Sequence, residues 1–162
     1  HPAEAGILRK ARLYPLPLRH RIFTQNSIKH SIIMTPIFEL RIKVRDYECD
    51  IQGIVNNANY QHYTEHTRNE FIRSRGLAFD ELHRRGIDTV VARLEMQFKT
   101  PLRPGDEFLS QLSVRKEGIK YVFEQQLLRL PDRQLCLKAQ TTVVAIVNGR
   151  LGDCEELQQL VP

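Results

Sequence analysis

One short segment of the chain combines a carboxylate, a glycine turn and the start of a predicted helix. Asp50 lies three residues before Gly53, and Asn56 and Asn57 follow where helical periodicity begins. The first N–H groups of a helix have no intrahelical acceptor and lie at the positive end of the helix dipole. They can therefore hold a developing oxyanion. Asp50 beside them could act as a nucleophile or as a general base for water, so the segment is a candidate catalytic site.

A purely structural interpretation explains the same residues. Asp50 would cap a turn and Asn57 would cap the helix, because short polar side chains are favoured at both kinds of position. An acid, a glycine and a helix in this order are common, so spacing alone favours the structural interpretation.

Two other groups near this segment could carry chemistry. His62 and His66 lie four residues apart, which suits a metal on one helix face, but there is no HExxH pattern and no evident third ligand. We therefore expect no metal. Cys49 adjoins Asp50, but no His partner is apparent to activate it, so we expect a packed thiol.

A long helix is predicted directly after the candidate site. Asn57 is a favourable N-cap, residues 58–75 contain neither Gly nor Pro, and Gly76 follows as a stop signal. A second, short helix is predicted over residues 79–85, before Gly86. The side chains that recur at three- and four-residue spacing in the long helix form a broad packing face: Tyr60, Tyr63, Thr64, Thr67, Phe71 and Ile72.

Five segments are predicted to be strands. Residues 38–44 and 92–98 alternate between apolar and polar side chains, as half-buried strands do. Residues 108–115, 121–130 and 135–147 follow after short turns. Because the connections between the last four strands are short, we expect these strands to be antiparallel neighbours. The order of elements predicts an α+β fold in which one helix packs against a curled antiparallel sheet.

Length and composition restrict the class of protein. The chain has 162 residues, of which 41% are hydrophobic and 27% charged, the balance of a globular protein. No stretch approaches the ~20 uncharged apolar residues of a transmembrane helix, so we expect no membrane partner. Three cysteines without CxxC spacing indicate neither a disulfide framework nor a zinc site, and a reducing compartment fits them.

The net charge of +5 is concentrated at one end of the chain. Residues 1–33 contain six Lys or Arg and one Glu, whereas residues 34–162 contain equal numbers of basic and acidic residues. We therefore expect no nucleic-acid partner.

Residues 34–162 are interpreted as one domain. Residues 1–33 are interpreted as a translated upstream extension, with a targeting leader or a docking arm as the alternatives.

The candidate site resembles the signature of hotdog-fold thioesterases of the 4-hydroxybenzoyl-CoA and acyl-CoA type. That signature is an acid, two residues, Gly, a β-branched pair, two polar or aromatic residues, a small residue, any residue and Tyr, followed by a helix bearing Glu and Arg. The corresponding residues here are Asp50, Gly53, Ile54, Val55, Asn56, Asn57, Ala58, Asn59, Tyr60, Glu65 and Arg68.

Two further segments extend the resemblance to residues 38–152. The sequence VRDYE at residues 44–48, together with VNNA at residues 55–58, is similar to the branch of plant plastid acyl-ACP and acyl-lipid thioesterases and their bacterial relatives. The sequence FKTPLRPGD at residues 98–106 resembles a turn of the family. The resemblance implies a hotdog fold, a long central helix wrapped by a curled five-stranded antiparallel sheet. It implies a homodimer or homotetramer, with the site at the interface between two chains.

The activity implied is hydrolysis of acyl-CoA or acyl-ACP thioesters without a cofactor. Asp50 corresponds to the catalytic carboxylate, and the N–H groups of Asn57, Ala58 and Asn59 to those that polarise the thioester carbonyl. Many relatives have an aromatic–His pair where this chain has Asn56-Asn57. Asn donates a hydrogen bond but cannot transfer a proton near neutral pH, so acid–base chemistry falls on Asp50 and water.

Glu65 is a second candidate for catalysis, because some hotdog enzymes place a catalytic Glu on this helix. The alternative, which we favour, is a surface or interface ion pair between Glu65 and Arg68, three residues apart. Lys99 and Arg103, with Lys116 and Lys120, could contact the phosphates of coenzyme A or an acidic carrier protein. Solvated charges at strand ends explain them equally well. The other residues expected to contact substrate are Gly53, Val55, Asn56, Ala58, Asn59 and Tyr60.

The acyl pocket, the alternative functions and the cellular location are the remaining expectations. Five apolar residues could line an acyl pocket or pack in the core: Phe71, Leu77, Phe79, Leu82 and Val90. The alternative to a thioesterase is a non-catalytic acyl-binding hotdog protein. A hotdog dehydratase or hydratase is disfavoured, because no His stands in the Asp50 loop. The bacterial cytoplasm is the expected location, with a plastid as the alternative.

Overall fold

The structure is a computed structural model, and it describes residues 35–162. The predicted extension over residues 1–33 lies outside the described residues. Asp46–Glu48 forms one turn of 3-10 helix between the first strand and the first helix. The helices and strands of the described part are β1 Phe38–Lys43, α1 Asn57–Ser74, α2 Phe79–Arg84, β2 Ile87–Phe98, β3 Glu107–Glu117, β4 Lys120–Arg129, β5 Gln134–Val147, β6 Arg150–Gly152 and α3 Glu155–Gln158.

All strands of the described residues join one antiparallel sheet in the order β1–β3–β4–β5–β2, with β6 paired to β5 outside this path. The five predicted strands all form. The three-residue strand β6 and the short helix α3 were not predicted. No helix within residues 35–162 has both the length and the apolar character needed to cross a membrane.

The expectation that β2 and β3 are neighbours is wrong. β2 pairs with β5, whereas β3 pairs with β1 and β4. Residues 99–106, which connect β2 to β3, do not form a hairpin turn, because their backbone is hydrogen-bonded to residues near the ends of β1 and of the Asp50 loop. The Val55 N–H donates to Leu102 O at 2.9 Å, and the Val44 N–H donates to Asp106 O at 2.8 Å. Because of these bonds the chain passes the start of α1 and reaches the edge of β1, where β3 then pairs.

The long helix α1 forms as predicted, but it begins one residue away from the predicted cap. Asn56 has the extended conformation of an N-cap, and its Oδ1 accepts a hydrogen bond from the Ala58 N–H at 3.0 Å. Asn57 is the first helical residue, so its prediction as the N-cap is wrong. The side chains that α1 buries are the six predicted ones and Arg68.

Two apolar clusters lie between α1 and the sheet, one under each half of the helix. Tyr60 and Tyr63 belong to the first, and Phe71 and Ile72 to the second. A band of buried polar groups separates them. In this band Thr67 Oγ1 lies 2.6 Å from Ser110 Oγ, and Gln125 Nε2 donates to Thr64 O at 2.9 Å. The core is thus divided into two halves, and a separate pocket opens beside each.

Candidate active site

The loop before α1 folds back tightly and holds Asp50 beside the helix. Cys49 and Val55 form an antiparallel bridge across its base. Inside it, the Asp50 N–H donates to Ile54 O and the Gly53 N–H donates to Asp50 O, both at 2.9 Å. Gly53 has φ +70°, a left-handed conformation that glycine adopts at little cost. The Asp-x-x-Gly spacing is therefore what closes the loop.

Asp50 does cap a turn, as the structural interpretation expects. Its Oδ1 accepts a hydrogen bond from the Gln52 N–H at 2.8 Å. An ionised carboxylate has about four lone-pair sites, so this bond uses one of them. Within the described residues Oδ2 has no hydrogen-bond partner. The two interpretations of Asp50 are therefore compatible: one oxygen fixes the side chain and the other is available to a ligand.

The hydrogen bonds at the start of α1 leave one of the three expected N–H groups available. The Ala58 N–H donates to Asn56 Oδ1 at 3.0 Å, and the Asn59 N–H donates to Asn56 O at 2.9 Å. The Asn57 N–H has no acceptor among the described residues. Of the three groups expected to polarise a carbonyl, the Asn57 N–H is thus the one left to do so.

Asp50 and Asn57 line the same pocket, which has a volume of about 400 Å³. This volume falls within the roughly 300–1,000 Å³ typical of small-molecule sites. The rings of Tyr60 and Phe98 form an apolar wall, with their centroids 5.4 Å apart and nearly perpendicular. Lys99 contributes a cation. The pocket therefore brings together a carboxylate, an unpaired backbone N–H, an apolar wall and a positive charge.

The other residues expected to contact substrate divide into two groups. Val55 lines the pocket, together with Tyr60 and Lys99. The Tyr60 hydroxyl also accepts a hydrogen bond from the Leu102 N–H at 3.0 Å, and burial raises the pKa of this phenol. The residues that shape the loop and helix start without lining the pocket are Gly53, Asn56, Ala58 and Asn59.

The other basic residues considered from the sequence do not line the pocket of Asp50. The backbone N–H of Arg103 donates to Asp106 Oδ2 at 2.8 Å within the turn before β3. Lys116, at the far end of β3, forms an ion pair with Asp153 near the start of α3. Among the basic residues considered from the sequence, Lys99 is therefore the one that the fold places beside Asp50.

The expected ion pair between Glu65 and Arg68 does not form, so that prediction is wrong. Arg68 faces the sheet and is 7% exposed, and its Nη1 donates to Gln125 Oε1 at 2.9 Å and to Thr141 Oγ1 at 3.2 Å. Burial lowers the pKa of this guanidinium. Glu65 is exposed and eight residues beyond Asn57, which corresponds to roughly 12 Å of helix at ~1.5 Å per residue. It lines a different pocket, away from Asp50.

The remaining candidates offer no further catalytic group. His62 and His66 are exposed on α1. Within residues 35–162, no three His, Cys, Asp or Glu side chains are grouped so that they could hold a metal ion. Burial and the neighbouring carboxylates of Glu48 and Asp46 raise the pKa of the Cys49 thiol. Cys49 packs beside the first apolar cluster, in agreement with the expected packed thiol.

Glu48, which was not predicted as a functional residue, holds the Asp50 loop against α1. Its side chain is buried, and Oε2 accepts hydrogen bonds from the Tyr63 hydroxyl at 2.6 Å and the Arg45 N–H at 2.8 Å. Its carbonyl oxygen accepts from the Asn56 N–H at 2.9 Å and from Asn59 Nδ2 at 2.7 Å. One residue thus ties together both sides of the site.

Hydrogen bonds keep the buried Glu48 carboxylate ionised. Burial alone would raise its pKa, but the bonds from the Arg45 N–H, the Tyr63 hydroxyl and the Arg45 guanidinium outweigh burial and lower the pKa below its ordinary value. Burial and the bond to Glu48 raise the pKa of Tyr63. In the sequence, Glu48 follows Arg45 by three residues and belongs to the VRDYE segment, but such spacing is common in surface ion pairs as well, and neither feature indicates burial.

Comparison with known proteins gives a consistent result. A family model described as "Thioesterase-like superfamily" matches residues 44–158. The chain is 36% identical over 116 residues to "Acyl-acyl carrier protein thioesterase ATL3, chloroplastic" of Arabidopsis thaliana, covering 71% of this chain and 61% of that protein. It is 40% identical over 113 residues to the corresponding ATL2 protein, covering 68% and 59%. The chain thus spans about three fifths of the length of these two relatives.

The fold is also found among solved structures. The structure of Slr0204, a 1,4-dihydroxy-2-naphthoyl-CoA thioesterase from Synechocystis, superposes with a TM-score of 0.73 at 17% sequence identity. The match covers 76% of this chain and 94% of that one. The predicted hotdog architecture, a long helix against a curled antiparallel sheet, is confirmed by this likeness.

Proposed function

The chain belongs to the thioesterase-like superfamily, and from this premise we propose that it hydrolyses the thioester bond of an acyl-CoA or an acyl-ACP. One observation carries the proposal: Asp50 lines the same pocket as Asn57, the residue whose N–H has no acceptor among residues 35–162. The two plant relatives are named acyl-ACP thioesterases, which supports this class of substrate.

The reaction requires a nucleophile at the thioester carbon and a positive group at its oxygen. Asp50 Oδ2 takes a proton from water, which then attacks the carbon, or attacks the carbon itself to form an anhydride that water hydrolyses. In either case the carbonyl oxygen gains negative charge, and the Asn57 N–H donates to it. The hydrogen bond from Gln52 to Oδ1 keeps the carboxylate oriented throughout.

The leaving group explains how the site could work without a histidine. When the tetrahedral intermediate collapses, the C–S bond breaks and the sulfur leaves as a thiolate. A thiol has a pKa of about 8.5, far below that of an alcohol, so it leaves without receiving a proton from the protein. Asn at positions 56 and 57 is therefore compatible with thioester cleavage.

Lys99, which lines the pocket, is proposed to contact the phosphates of coenzyme A or of the acyl carrier protein.

We propose that two chains pair along β2, as a dimer or as a dimer of dimers. Among the described residues β2 is hydrogen-bonded on one side only, to β5, and 12 residues long. Val90, Val91 and Phe98 on it are about half exposed, which is unusual for an open strand edge. Light scattering should give two or four times the chain mass of 18.9 kDa, and a mass of one chain would contradict the pairing.

The experiment that tests hydrolysis is thiol release from purified protein with acyl-CoAs and acyl-ACPs of short to long chains. We expect turnover of at least one series, and the panel ranks the substrates. Binding of the same acyl-CoAs without any turnover would instead establish the alternative, a non-catalytic acyl-binding protein.

The location in a bacterial cytoplasm or a plastid stays a prediction; the two plant relatives are named chloroplastic.

A further inference from the structure

A second pocket lies beside the other half of α1, with a volume of about 290 Å³. Its walls come from α1, α2, α3 and three strands of the sheet. The apolar side chains that line it include Ile72, Phe79, Phe123, Val143, Leu157 and Leu160. It shares no lining residue with the pocket of Asp50. Arg68, one of its lining residues, is eleven positions beyond Asn57, roughly 16 Å along the helix at ~1.5 Å per residue.

Arg68 brings a positive charge into this pocket without forming an ion pair; the exposed Glu65 acts through space to raise the pKa of Arg68, but burial outweighs it and lowers the pKa. Its hydrogen-bond acceptors, Gln125 and Thr141, are both neutral. None of the ion pairs formed by residues 35–162 includes Arg68. A buried charge without an ion-pair partner is costly, and an anion bound beside it removes much of that cost.

The guanidinium also has hydrogen-bond donors to spare. Both of its bonds within the described residues come from Nη1, and an Arg side chain has five N–H donors. No fully buried side-chain nitrogen in the described part of the chain lacks a partner. The unbonded Nη2 and Nε of Arg68 are therefore not fully buried, and Arg68 lines the pocket. Two adjacent N–H groups of this kind match the two oxygens of a carboxylate.

We propose that this second pocket binds a carboxylic acid with a small apolar body, its carboxylate on Arg68 Nη2 and Nε and its apolar part against Phe79, Val143 and Leu157. Asn69, half-exposed on α1, also lines the pocket and offers an amide to the same carboxylate. Glu65 is the one acidic residue in the lining, and because it is exposed at the surface, solvent and salt screen its repulsion.

Octanoate, which is ionised at neutral pH, is the probe that tests this site on the full chain. By titration calorimetry we expect saturable binding of one octanoate per chain. Octanol, which has the same apolar body without the charge, should bind at least about tenfold more weakly, because hydrogen bonds between charged groups are lost. Asp46→Asn, at an exposed residue that lines neither of the two pockets, should leave octanoate affinity unchanged.

Two variants locate the site. Arg68→Gln should weaken octanoate binding by at least about tenfold, since the charge is lost. Val143→Phe keeps Arg68 but fills the pocket, and it should abolish binding even if Arg68→Gln does not fold. Equal affinity for octanoate and octanol, parental affinity in Val143→Phe, or no saturable binding of octanoate would each overturn the proposal.

Discussion

The hydroxyl of Tyr63 donates a 2.6 Å hydrogen bond to Glu48 Oε2. This bond connects the second turn of α1 to the segment that precedes the Asp50 loop. Both side chains are buried. A charge-assisted bond in a buried place is among the stronger contacts that a protein makes, at about 1.5–3 kcal/mol. The position of the candidate catalytic carboxylate therefore depends on a second, non-catalytic carboxylate.

Glu48→Gln should lower the free energy of unfolding by about 1–3 kcal/mol at neutral pH, because the charged acceptor is lost. The folded-state pKa of Glu48 lies below its ordinary value of 4.5, so the stabilisation is present above pH 4.5 and is lost as the pH falls through the folded-state pKa. Urea unfolding across this range should show the difference between parent and variant shrinking with acid. Glu65→Gln, at an exposed site, is the control and should stay within about 0.5 kcal/mol of the parent.

Asn56→Ala and Asn57→Ala should differ in stability although the two residues are adjacent. Asn56 Oδ1 caps α1 through the Ala58 N–H, so its loss should cost about 1 kcal/mol. The Asn57 side chain makes no cap, and its loss should cost less than about 0.5 kcal/mol. Thermal or urea unfolding of the two variants measures the difference. A larger cost for Asn57→Ala would contradict the assignment of the cap.

Asn57→Pro removes the backbone N–H that we propose as the oxyanion donor. Proline is well tolerated at the first position of a helix, and Asn56 already has the extended backbone that precedes proline, with φ −60° and ψ 139°. The variant should therefore fold, while its kcat falls by about 10²–10³. Asn57→Ala, which keeps the N–H, is the matched control for thiol release. Parental kcat in a folded Asn57→Pro protein would exclude this N–H from the reaction.

Gly53→Ala and Gly76→Ala form a second matched pair. Both glycines have a left-handed backbone, with φ +70° and +78°, and a Cβ at either would meet no atom within 4 Å. Each substitution should therefore cost about 1–2 kcal/mol from backbone strain alone. Only Gly53→Ala should also reduce thiol release, because Gly53 closes the loop of Asp50. Equal activity in the two variants would show that the loop tolerates the change.

The sequence predicted the elements whose signals are local. Alternation identified β1 and the second half of β2, and the turns that bound them identified β3, β4 and β5. Capping residues with a Gly stop identified α1 to within one residue at each end. The Asp50 loop was predictable for the same reason, because its acid, its glycine and the helix start all lie within eight residues.

Features that depend on distant contacts were not predictable. Arg68 was expected to pair with Glu65 on its own helix, but it bonds Gln125 and Thr141, which are 57 and 73 residues away. The position of β2 at the sheet edge likewise depends on where residues 99–106 are held. Glu48 was not predicted as a functional residue, because its burial depends on contact with Tyr63, which lies 15 residues later on α1.

Asp50 is the group on which the proposed hydrolysis depends most directly. Asp50→Asn keeps an oxygen for the Gln52 N–H and so preserves the turn, but it can neither accept a proton from water nor attack the thioester. Asp46→Asn, four residues earlier and exposed, is the matched control. With the best acyl-CoA or acyl-ACP, kcat/KM should fall by about 10²–10⁴ in Asp50→Asn and stay near the parental value in Asp46→Asn. Parental kcat/KM in Asp50→Asn would contradict the role of Asp50 and move the catalytic carboxylate elsewhere.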